Sequence, residues 1–329
     1  MPELKTWREL LARIISDTHE KQRIAGELGI SHVTLSRWAH EDVNPRVHNM
    51  RHLLNVVPHY RDEFLDLLRS EDGFEDLINA KGDESEKEVP ASFYISVFNA
   101  RASTVESMHF WSIGTLILRQ AISQLDPDRL GMAITIVRCM PPSSGSDKVR
   151  SLRESVGVGT SPWAGDLEQQ ALFLAAESLA GYTVSLCRPS ANQNISEESI
   201  FIPTSPGEHE KSAIAYPILY AGRVAGCLLV SSTQVNYFLS PSRLSLIQCY
   251  TDLIALAFEP EDFYDPQDIE LHIMPPHKIQ RPYFANFRQR VANSMIQAAQ
   301  KQRPINNLQA EQLVWLELEE ELLHWTAGE

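Results

Sequence analysis

The chain has 329 residues, room for about two domains of ~150 residues each. It is 43 % hydrophobic and 22 % charged, enough to bury ordinary cores, with a formal net charge of −14. No apolar run approaches the ~20 residues needed to cross a bilayer. The opening MPELKTWREL has no basic stub leading into an apolar stretch, and Cys139, Cys187, Cys227 and Cys249 form no CxxC pair. These features exclude a membrane protein, a secreted disulfide scaffold and a zinc ribbon, and they predict a cytoplasmic protein with reduced thiols.

Charge is uneven along the chain. Residues 1–60 carry eight Lys/Arg against seven Asp/Glu, whereas residues 61–88 carry four against eleven. Any contact with a polyanion is therefore expected locally, in the N-terminal sixth. Residues 1–80 have helical periodicity. In Lys21–Trp38, the residues Ile24, Ala25 and Leu28 give a short amphipathic helix, and Gly29 permits the positive φ that ends it. Ile30 then plugs the turn and Ser31 caps a second helix, packed through Leu35 and Trp38. This spacing is that of a helix-turn-helix, in which one helix braces and the next enters the major groove.

These residues, with Asn44-Pro45-Arg46 and the apolar Met50, Leu53 and Leu54, resemble the Xre/Cro-type helix-turn-helix family over about residues 4–70. The resemblance implies that His32, Val33, Ser36 and Arg37 face DNA bases, with Ser31 at the helix start. Lys21, Gln22 and Arg46 would then approach phosphates, and Arg37 would suit bidentate contact with guanine. The sequence departs from the family at Glu41-Asp42, two carboxylates where a basic or glycine-containing loop is common.

Residues 81–99 read as a linker, charged up to Pro90. Residues 100–260 mix helix and strand patterns. A long helix is predicted over Val105–Leu125, with Met108, Trp111, Thr115, Leu118, Ile122 and Leu125 on one line. A strand is predicted over Gly131–Met140, a helix over Asp166–Leu179 and a short strand over Tyr182–Cys187. Ala213–Tyr220 and Val224–Ser231 read as a hairpin around Ala221-Gly222-Arg223. Ser240-Pro241 opens a last helix.

The hairpin, the Gly226–Val230 strand, Phe238 and the helix after it resemble the C-terminal half of a GAF domain; the wider likeness spans about residues 100–260. The resemblance implies a central antiparallel sheet with helices on one face and a pocket on the other. Many such domains bind small ligands, and some only dimerise. The acidic pair of cyclic-nucleotide-binding GAF domains is absent, because Ser242-Arg243 follows Phe238, and no cysteine precedes a histidine as in bilin-binding ones. No residue pattern names a cofactor. Arg138, Trp163, Cys187 and Tyr216 are the candidate pocket residues, with Trp163 on a lid-like Gly157–Trp163 loop.

Residues 261–329 form a Pro-punctuated connector and a helical hairpin. Residues 278–303 carry six basic residues and no acid, and residues 309–329 carry six acids and no Lys/Arg. The two helices are expected to neutralise one another within a chain or as arms exchanged between protomers. The fold class expected is therefore multidomain: an all-α helix-turn-helix head, an α+β GAF-like domain with a central antiparallel sheet, and a C-terminal helical hairpin. The function expected is a transcription regulator, not an enzyme, that binds a palindromic double-stranded DNA operator as a homodimer and senses an unidentified small-molecule effector or partner. Helices 105–125 and 241–258 are the candidate dimer bundle. The alternatives are a protein-interaction scaffold and a cysteine-dependent GAF-fold reductase using Cys139 and Cys187.

Overall fold

The computed structural model describes residues 6–40, 43–57, 60–68, 88–143, 145, 147–167, 172–195 and 209–325. The charged segment 69–87 and the Glu41-Asp42 loop lie outside the described residues.

Among the described residues, five short helices come first: α1 Trp7–Ile14, α2 Thr18–Leu28, α3 His32–His40, α4 Val47–Val56 and α5 Arg61–Leu68. Thr6 and Asp17 cap α1 and α2 through side-chain oxygens. Gly29 sits at φ 65°, and its N–H and that of Ile30 close the end of α2 onto Ala25 and Gly26 carbonyls. Trp7, Leu10, Leu11, Ile24, Ala25, Leu35, Trp38, Met50, Leu53 and Phe64 share one core. Arg8 Nη1 donates to the Trp38 carbonyl at 2.8 Å and ties α1 to the end of α3.

The middle of the chain is a six-stranded antiparallel sheet ordered β3-β2-β1-β6-β5-β4. The strands are β1 Met132–Cys139, β2 Leu152–Gly159, β3 Phe173–Leu174, β4 Ser190–Asn192, β5 Ser212–Tyr220 and β6 Arg223–Ser232. The β5–β6 turn is two residues, with Ala221 at φ 51° and Gly222 at φ 79°, the primed geometry that matches strand twist. One face of the sheet packs beneath α6 Ala91–Ser103, α7 His109–Leu125 and α9 Pro241–Ile254. The other packs beneath α8 Leu179–Leu186 and the connector residues Tyr264, Ile269 and Leu271.

Several expectations are corrected. Residues 91–99, read as linker, lie in α6, which buries Phe93 and Val97 in the sheet core. The helix expected from Val105 begins at His109, after a 3-10 turn at Glu106–Met108. The Asp166–Leu179 helix is absent among the described residues. Phe173 and Leu174 instead pair with Arg153 and Leu152, and the helix starts only after Ser178, whose hydroxyl accepts from Gly181 N. Tyr182–Cys187 is the end of that helix rather than a strand, because Thr183 and Val184 bury inside the helical packing. Gly157–Gly159 belongs to β2, so only the residues from Thr160 form the loop.

The tail consists of α10 His277–Phe284, α11 Phe287–Gln300 and α12 Asn307–Leu323. The hairpin forms within the chain, and Arg290 meets Glu321 at 2.8 Å as the charge pattern requires. Val314, Leu318 and Leu322 pack on Met140, Phe173 and Met274, which seats α12 at the β2–β3 edge. Gln280 reinforces the seat, accepting from Phe173 N and donating to the Phe173 carbonyl.

Candidate functional site

Helix α3 presents a consistent outer face. Ser31 Oγ accepts from Thr34 N at 3.1 Å and caps the helix, leaving the neighbouring side chains outward. Ser31, His32, Val33 and Arg37 are exposed and Ser36 is half-buried, while Leu35, Trp38 and Ala39 hold the inner face. Val33 is 68 % exposed on that face. Gln22 is exposed and Lys21 half-buried on α2; Arg46 is exposed at the start of α4. The fold thus gathers Ser31, His32, Val33, Ser36 and Arg37 on one rigid element.

The four candidate pocket residues are not brought together. Tyr216 and Arg138 lie on the helix-covered face, where Tyr216 is core and Arg138 pairs with Asp262 at 2.8 Å beneath Phe110. Cys187 packs with the opposite cluster, in the left-handed conformation that ends α8, and its Sγ donates to the Val184 carbonyl. Trp163 stands in the loop after β2, edge-on to His209. A bulge at Ser155 of β2, opposite Ile136 and Val137, reverses the alternation in that strand, whereas β1 keeps its alternation and Arg138 stays on the face of Ile134 and Ile136.

One residue not anticipated stands on the second face. Glu154 pairs in register with Val137, beside Cys227, among otherwise apolar side chains. Burial, with Glu210 adding repulsion, pushes its carboxyl up to about 8. Its half-buried carboxyl, beside Val137 and Cys227, therefore favours the protonated form. Its only sequence signal is a lone acid in a polar stretch that does not read as strand.

Three of the four thiols are poorly suited to nucleophilic work. Burial raises Cys139, Cys187 and Cys227 above the ordinary thiol value, the reverse of what a thiolate needs. His109 is held structurally: Nε2 donates to the Thr104 carbonyl, and Nδ1 lies 2.7 Å from Glu259. No group of three His, Cys, Asp or Glu suited to a metal occurs among the described residues, nor any helix long and apolar enough to cross a membrane.

No family model matches the chain, and no curated protein matches it. Three solved structures illustrate what it is similar to. The GAF domain of an Acinetobacter phosphoenolpyruvate-protein phosphotransferase is 15 % identical, covering 50 % of this chain and 90 % of that one at a TM-score of 0.34. The corresponding GAF domain from Coxiella burnetii is 14 % identical, covering 50 % and 89 % at 0.33. A type II free methionine-R-sulfoxide reductase from Thermoplasma acidophilum is 13 % identical, covering 49 % and 98 % at 0.34. Likenesses this distant concern the shape of about half the chain and say nothing of what it binds or does.

Proposed function

We propose that the chain is a DNA-binding transcription regulator. Its N-terminal helix-turn-helix would dock α3 in the major groove, and a homodimer would read a palindromic operator. The GAF-like sheet domain would respond to a small effector or partner. The observation that supports this reading is the build of α3. Its inner face is locked by Leu35 and Trp38, and its outer face offers Ser31, His32, Val33, Ser36 and Arg37 without an acid among them. Arg37 supplies a fork for guanine, and Val33 an apolar contact for a thymine methyl. Lys21, Gln22 and Arg46 are assigned to the flanking phosphates. The raised thiols support a regulator without a catalytic step rather than a cysteine-dependent reductase.

The test is selection of bound sequences from random DNA by the full-length protein. An enriched palindrome is expected, and Arg37→Ala should weaken binding to it about tenfold or more, the ~1–3 kcal/mol of one bidentate contact. No enrichment would overturn the reading. It would leave a helical protein-interaction module, the reading that the net charge of −14 favours.

A further inference from the structure

Helices α7 and α9, the expected dimer bundle, spend their apolar stripes on the sheet: Ile113, Ile117, Leu118, Leu246, Ile247 and Tyr250 are all buried there. A different helix carries an outward apolar face. In α6, Phe93 and Val97 point to the core, while Ala91, Ile95, Phe98 and Ala102 are exposed. These four follow one another at intervals of four, three and four, the seam of a helix pair. Ile95 is 60 % and Phe98 56 % exposed, and just past the helix end Val105 is 66 % and Met108 48 % exposed.

The flanks of this strip are neutral. Ser92, Ser96, Asn99 and Ser103 are exposed beside it. The helix's one charged residue, Arg101, turns away to Glu259 at 2.6 Å. On a chain of net charge −14, an uncharged apolar strip is where two copies approach with least repulsion. Ile95 and Phe98 on the strip, with Val105 and Met108 beyond its C-terminal end, offer roughly 100 Å² each, so about 400 Å² per protomer where a pair engages both. Doubled and joined by the flanks, this reaches about 1,000 Å², the floor for a specific interface.

We infer that α6 is the dimer seam: two copies of the chain pair α6 against α6, in parallel, about a two-fold axis. The inference rests on the homodimer of the proposed function and assigns its surface. The parallel sense follows because α6 comes directly after the segment leading from the head; parallel seams bring both heads to the same end, as one operator requires. Phe98 and Ile95 fill the centre, and Ala91 and Ala102 let the backbones close at the ends.

Sedimentation of the full-length protein tests this. The wild type should be a dimer, and Ile95→Glu with Phe98→Glu should weaken dimerisation at least 100-fold, whereas the control Ile273→Glu, at a still more exposed site, should not. Under oxidation, Ile95→Cys should yield a covalent dimer absent from the wild type, because a parallel seam sets that residue against its own copy. A monomeric wild type, an undiminished dimer in the double variant, or no Ile95→Cys cross-link would each overturn the inference. Sedimentation reads no DNA. A dimer that selects no sequence therefore sinks the regulator and leaves the seam, whereas a monomer that selects a sequence sinks the seam and the palindrome and leaves the DNA-binding helix.

Discussion

Glu154→Gln should make the protein more stable, and only at the higher end of the pH range. In the folded chain the Glu154 carboxyl is raised from 4.5 to about 8. Between those two values the folded state keeps a proton that the unfolded state releases. Stability therefore falls as pH rises through this window, by up to ~1.4 kcal/mol per pH unit, and the loss is absent below the unfolded value. By pH ~7.5 the full shift amounts to about 4 kcal/mol; relaxation and water entry around the carboxyl bring the expected gain to about 2–4 kcal/mol. Glutamine keeps the shape and a donor but has no charge to bury. Urea unfolding at a series of pH values measures the difference. The two proteins should coincide near pH ~4.5, and the variant should pull ahead steadily towards pH ~7.5. Curves that run parallel, or a variant less stable at pH ~7.5, would refute the placement of Glu154 on the apolar face.

Three further outcomes follow from packing. Gly226 sits at φ 148° in β6, and a Cβ there would lie 2.0 Å from the Val137 carbonyl oxygen; Gly226→Ala should cost about 3 kcal/mol or more, seen as a collapse of the melting temperature. Leu318 is fully buried where α12 meets the β2–β3 edge; Leu318→Ala should cost about 2–5 kcal/mol, read by urea unfolding, and should raise protease cleavage of the tail. Glu259 accepts from both Arg101 nitrogens, at 2.6 and 2.7 Å, which hold its carboxyl below the usual value. Its contribution is present above pH ~4.5 and lost in acid, so Glu259→Gln should cost about 1–2 kcal/mol near neutrality and almost nothing at the lowest pH at which the protein folds.

What was legible in the sequence was local. Gly29 announces its turn because only glycine takes that φ without strain, and Ser31 announces a helix because its hydroxyl replaces a missing carbonyl. The β5–β6 hairpin is set by two adjacent residues, and the charge split of the tail predicts the Arg290–Glu321 pairing. What failed depended on partners far along the chain. Strand β2 hides behind Arg153 and Glu154, whose polarity breaks the alternation, and its identity comes from β1 and β3. Helix α6 hides because it is apolar on both sides: one face serves the sheet, the other is left outside, and no single stripe marks it. The candidate pocket residues scattered for a related reason. Cys187 is placed by a helix end, which a count of alternating residues does not reveal, and Arg138, which alternation does place, is taken up by Asp262 far along the chain.

The short segment after α9 joins the two faces of the sheet. Phe258 and Phe263 pack with the helix-covered core, while the next residue, Tyr264, packs with the opposite cluster and bridges to Val224 of β6. Between them, Glu259 grips Arg101 of α6 and Asp262 grips Arg138 of β1. The Glu259–Asp262 capping box satisfies the backbone N–H groups of that turn. The turn between the two faces is thus tied to α6 through Glu259 and to β1 through Asp262, so removing the Glu259 charge should loosen α6 and leave the Asp262–Arg138 pair in place. Amide exchange in Glu259→Gln should rise in α6 and stay unchanged in β1; a rise in both, or in neither, would refute that division.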